Sequence, residues 1–174
     1  MAKMFDTQVL NTTIIEVVED TFKQKCRQEP SAKPVAVERD IIEFDGHMRV
    51  FPMEKFNGPA FVAVVNFFLS QKDMDGGFAV GSLALFVKED IIDKLLRPLG
   101  RTARELEDEE VVLNNIGELC AILAADIKGK IVSSGHTDLL VSAPLKYKNN
   151  VPEGVRFDYS LFQKQEIAFH FWKQ

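Results

Sequence analysis

At 174 residues, with 46% hydrophobic and 27% charged residues, the chain suits a single domain (1–174) with a sizeable core, which excludes a disordered protein. A formal net charge of −5 leaves no basic footprint for nucleic acid. No apolar run nears the roughly 20 residues of a membrane span, and the opening MAKMFDTQVL lacks the apolar core and cleavage site of a signal peptide. Cys26 and Cys120 are far apart, both in helical patterns, and read as buried free thiols of a cytoplasmic protein.

Asp6 or Thr7 caps a first helix running to about Arg27, with Ile15, Val18, Phe22 and Cys26 inward and Glu16, Glu19 and Lys23 outward. Glu29-Pro30-Ser31 ends it. Two β-rich runs follow, Val35–Phe44 and Met48–Phe51, around the turn signal Asp45-Gly46. After a loop from Pro52 to Pro59 come Phe61–Leu69 and Phe78–Val87, a hairpin around Asp73-Met74-Asp75-Gly76-Gly77, too apolar to leave both faces in water. Lys88–Leu96 reads as a short amphipathic helix stopped by Pro98 and Gly100.

The longest helical pattern runs from about Glu107 to Ser134. Val112, Ile116, Leu119, Leu123, Ile127 and Ile131 recur at steps of three and four, one apolar stripe. Thr102 and Glu105 form a capping box for a lead-in turn, and Gly135 is the stop. The opposite strip is Asn114, Gly117, Glu118, Ala121 and Ala125, one carboxylate among small residues where a solvated face is normally richer in charge. Strands then follow over Asp138–Leu145, Arg156–Phe162 and Ile167–Trp172, with turn residues from Asn149 to Gly154. Two long helices packed on a mostly antiparallel sheet make an α+β domain. Each half runs from a helix into strands ending in an apolar hairpin, a weak pseudo-two-fold repeat.

Most chemical motifs fail on their own terms. Asp73-x-Asp75-Gly76 opens like a calcium loop, but Ala84 stands where the glutamate ligand belongs, so a turn is the better reading. His47, His136 and His170 are scattered, away from metal-ligand spacing. Gly76-Gly77 with Gly81 does not open a helix and so lacks phosphate-loop geometry. Cys120 has no nearby histidine in sequence. Glu118 remains, raised above an ordinary solvated glutamate by its small neighbours and by Pro144, a strand proline that implies an edge or bulge.

Gly117-Glu118-Leu119, the Ala-rich helix after it, Pro144 and the hairpins resemble the CheX/CheC/FliY chemotaxis phosphatases. The family signature is Asp or Ser, three residues, Glu, two residues, Asn, twenty-two residues, Pro; here the positions fall on Asn114, Glu118, Ala121 and Pro144 with spacings intact. Gly77-Phe78 to Leu85 is similar to the family's strand before its helical crossover. The likeness spans about residues 60 to 172 and is nearest the CheX branch, because the first helix offers Glu16-x-x-Glu19 and no Asn.

The resemblance implies a CheX-like fold, a homodimer, and a partner that is a phosphorylated receiver domain of the CheY type. It implies that Glu118 engages the receiver's lysine while an amide orients water onto the aspartyl phosphate. The Mg²⁺ would be the receiver's, so no cofactor of the chain's own is expected. Ala121 departs from the pattern, having no hydrogen-bonding side chain. Asn114 and Asn115, one turn before Glu118, are the candidate replacements. Glu54-Lys55-Phe56-Asn57, the one literal Glu-x-x-Asn, reads as coincidence in a loop. Three readings stand: a phosphatase using Glu118 with Asn114 or Asn115, a non-catalytic module docking through Glu118, Ala121, Ala125 and Pro144, and an unrelated α+β dimer whose strip packs on another helix.

Overall fold

The computed structural model describes residues 7–29, 34–35, 41–44, 47–50, 60–136, 138–148, 156–157 and 165–170. Helix α1 spans Thr7–Gln24, and the hairpin strands β1 (Ile41–Phe44) and β2 (His47–Val50) pair with Phe44 opposite His47, as a two-residue Asp45-Gly46 connection requires. Strand β3 (Ala60–Phe68) leads through α2 (Gln71–Gly76) to β4 (Phe78–Ala79) and β5 (Gly81–Lys88). After α3 (Ile92–Leu96) comes α4 (Glu109–Ser133), then β6 (Leu140–Val141), β7 (Leu145–Lys148), β8 (Arg156–Phe157) and β9 (Gln165–His170). The expected Asp73–Gly77 turn is instead the short helix α2. Ser70 accepts from the Asp73 N–H at its start, and Gly77 closes it in the left-handed region at φ 73°.

The main sheet has β3 at its centre, antiparallel to β5 on one side and to β6 and β7 on the other. Strand β9 joins β5 in parallel, so the sheet is mixed. The expected second hairpin is not formed by the described residues: β8 pairs with β4 and β9 with β5. Sheet residues facing α4 (Phe61, Ala63, Val65, Phe67, Leu83, Leu85, Val87) merge with its whole apolar stripe, Val112 to Ile131, in one core. The other face buries Val62, Val64, Ala84 and Phe86 with Tyr147 beside them.

Helix α1 packs on α4. Its buried face is Leu10, Thr13, Val17, Thr21 and Phe22, with Cys26 beyond the helix, so Ile15 is only half-buried. The face is rotated from the expected one because two threonines bury their methyl-bearing side chains along it. Arg27 lies in the left-handed region at φ 51°, and the chain doubles back there as the Gln28 N–H donates to Phe22 O at 3.0 Å. Helix α4 begins one turn after the capping box. Thr102 N donates to Glu105 Oε2 (2.7 Å), Glu105 N donates to Thr102 Oγ1 (3.3 Å), and Asp108 then caps the helix itself. It ends at Gly135 (φ 86°), with Gly135 N donating to Val132 O and His136 N to Ile131 O, a Schellman motif.

Candidate functional site

The site is set by how β7 lies against α4. Strand β7 runs antiparallel to the helix along a seam. Lys148 Nζ donates to Glu109 Oε2 at 2.7 Å, Lys146 Nζ donates to Asn114 Oδ1, and Pro144 and Lys146 cover Gly117. From Glu109 to Gly117 the helix rises about 12 Å, and from Lys148 to Pro144 the strand spans about 13 Å, so the two elements stay in step. Lys148 is also 5.3 Å from the Phe61 ring centroid, and its pKa is raised chiefly by the hydrogen bond to Glu109.

Pro144 sits in a bulge. Between the pairs Val64–Leu145 and Phe67–Val141, β3 has two residues, Val65 and Asn66, against three, Ser142, Ala143 and Pro144. One extra residue on the outer strand is a β-bulge, where a proline without an N–H breaks no ladder bond. Ser142 fixes the bulge by exchanging bonds with Asn66: Ser142 N donates to Asn66 O, and Asn66 N donates to Ser142 Oγ, each at 2.9 Å. Ser82 Oγ, opposite Asn66 on the neighbouring strand β5, in turn donates to Asn66 Oδ1.

Gly117 is buried, unlike the rest of its strip. A Cβ there would stand 2.9 Å from Lys146 Cδ, 3.2 Å from Lys146 Cγ and 3.5 Å from Pro144 Cγ, so the glycine is a notch for the strand. Asn114, Glu118 and Ala125 are exposed and Ala121 is half-buried, all along one helix face. Glu118 has no hydrogen bond or ion pair among the described residues. Asn115, expected to share that face, turns inward and is buried: Arg101 Nε donates to its Oδ1 at 2.9 Å, and its Nδ2 donates to Val111 O at 2.7 Å. Both its oxygen and its nitrogen are thus engaged by the fold. The structure thus brings Asn114, Glu118, Ala121, Ala125 and Pro144 to one surface and adds Lys146, which spacing rules did not reveal.

Asp73 and Asp75 serve α2: Asp73 Oδ2 accepts from Ser70 Oγ, and Asp75 Oδ1 accepts from Gln71 Nε2 at 2.7 Å. Among the described residues no group of three or more His, Cys, Asp or Glu could hold a metal ion. Both cysteines are free and buried. Glu54–Asn57 lies outside the described residues.

No protein-family model matches the sequence, and comparison with curated proteins gives no match. A crystal structure of a CheC-like superfamily protein from Shewanella sp. PV-4 superposes with a TM-score of 0.55 at 14% identity, covering 86% of this chain and 83% of that one. The fold is CheC-like. At that identity the likeness concerns the arrangement of helices and sheet. No helix among the described residues is long and apolar enough to cross a membrane.

Proposed function

We propose that this chain is a signalling protein of the CheX type that docks on the phosphorylated receiver domain of a CheY-like partner. The observation that carries the reading is Glu118, an exposed carboxylate with no partner among the described residues, at the family spacing from a bulge proline. A carboxylate left solvated by its own fold is free to meet a cation on another surface, here the receiver's lysine. A helix-packing role for the strip would instead call for a glutamate buried and paired. The receiver holds the Mg²⁺ through its own carboxylates, and this chain contributes no metal. The same reading makes the protein a cytoplasmic homodimer, checked by sedimentation at micromolar concentration; a clean monomer would remove that part.

A second reading, residual phosphatase activity, rests on Asn114, whose exposed amide lies one turn from Glu118. Water positioning of this kind is sensitive to placement. An amide two turns, about 10 Å along the helix, from position 121 is poorly placed for in-line attack, so slow turnover accompanies recognition. The test is the rate of receiver dephosphorylation with the wild-type chain, Ala121→Asn, and Ala121→Asn combined with Glu118→Ala. Restoring the amide is expected to raise the rate by roughly 10²-fold or more, and removing Glu118 to abolish the gain. An inert Ala121→Asn chain that also forms no complex with any receiver from the same source would end the proposal.

A further inference from the structure

We infer that Lys146 is a positioning residue, seated in the Gly117 notch, that makes the surface beside Glu118 a two-signed site selective for the phosphorylated form of the receiver. The inference rests on the receiver-docking reading above and deepens it. Three observations carry it. The lysine stem lies across α4 only because position 117 lacks a Cβ, which would stand 2.9 Å from Lys146 Cδ. Glycine within a helix is unfavourable relative to alanine, so its presence at mid-helix has a packing reason.

Next, Lys146 Nζ binds Asn114 Oδ1. An ammonium has only donors, so the amide must turn its oxygen to the lysine. Both Nδ2 hydrogens of Asn114 are left uncommitted among the described residues. The surface therefore offers an amide donor backed by a cation, a pairing suited to an anionic oxygen.

Finally, Glu118 lies on the same helix face one turn on, yet makes no ion pair with Lys146 or with any other cation among the described residues. Two opposite charges, exposed and not spent on each other, call for a partner carrying the reverse polarity: an anion over Asn114 and Lys146, and a cation over Glu118. A phosphorylated aspartate beside a lysine has that chemistry. An unphosphorylated receiver satisfies only the Glu118 half as well.

The experiment compares binding of the full chain to a receiver from the same source, unmodified and activated with beryllofluoride as a phosphoryl stand-in. The wild-type chain is expected to prefer the activated form by roughly tenfold or more, the size of a charge-assisted contact. Lys146→Met is expected to bring that preference close to one while still binding the unmodified receiver, Gly117→Ala to act in the same direction, and Lys146→Arg to restore most of the preference. Glu118→Ala is expected to weaken both forms alike. Side-chain amide NMR signals of Asn114 read the lysine contact without any receiver: displaced from free-amide positions in the wild type, and moved toward them in Lys146→Met. A full wild-type preference in Lys146→Met, or unchanged Asn114 signals in it, overturns the inference. A wild-type chain that binds neither receiver form overturns the docking reading instead, and the selectivity with it, whatever the amide signals show.

Discussion

Asn114 and Asn115 are neighbours in sequence and do opposite work on α4. The helix turns about 100° per residue, so one side chain is exposed toward β7's lysine and the other is buried under Arg101. Asn115→Ala removes both bonds of a buried amide and strands part of Arg101's partner set, so urea titration is expected to show a loss of about 1–3 kcal/mol. Asn114→Ala, at an exposed position, is expected to leave stability within about 0.5 kcal/mol while changing receiver binding. Equal losses would mean that both amides are structural. Apolar periodicity marks the buried stripe but cannot place a polar residue at the stripe's margin, which is why Asn115 looked available. Lys146 was invisible for another reason: it reaches Asn114 from 32 residues away, along a strand whose register no local rule sets. The signal that pointed toward it was Gly117, a poor helix former kept in the middle of the longest helix.

At the scale of elements, what was legible followed from short-range physics. The six-residue stripe of α4, the reciprocal Thr102–Glu105 box and the β1–β2 pairing each depend on residues a few positions apart, and each is present. The α1 face was misplaced because Thr13 and Thr21 count as polar in any pattern, although both are buried. The pairing of β9 with β5 was unreadable because a parallel partner can lie anywhere along the chain. One element end is held against local preference: Arg27 occupies the left-handed region, where a Cβ costs about 1 kcal/mol and glycine fits. Arg27→Gly is expected to raise stability by about 0.5–1 kcal/mol, read as a higher urea midpoint with an unchanged slope. A lower midpoint would mean that the arginine side chain itself anchors the end of α1.

Across the whole molecule, the central strands β3 and β5 are buried on both faces, and the β7 edge is guarded. The β7 edge carries a bulge, Pro144 without an N–H, and two lysines committed to α4, all features that discourage another strand from pairing there. A homodimer formed by strand pairing would therefore use a different edge. The two thiols report how the layers hold together. Cys120 sits between α4 and the sheet, with Sγ 3.6 Å from Ala63 O and 3.7 Å from Leu83 O, and burial pushes its pKa up to about 12. Cys26 lies beyond the end of α1, and burial raises its pKa to about 11. Because the thiolate is the reactive form, both are expected to be inert to a thiol reagent at pH 8 in the native state. Raised folded-state values also mean that stability is full below the unfolded thiol pKa, 9.0, and falls as pH climbs from there toward 11–12. Exposing Cys120 requires separating α4 from the sheet, which dismantles the core, whereas exposing Cys26 requires only that the segment after α1, tied to α3 by the Gln28 Nε2 bond to Lys94 O, lift from the core. Labelling in low urea is therefore expected to modify Cys26 first, with weak urea dependence, and Cys120 later, with the full slope of global unfolding. Simultaneous labelling of both with the global slope would show α1 to be as integral to the core as α4, with the helix pair and sheet opening as one unit.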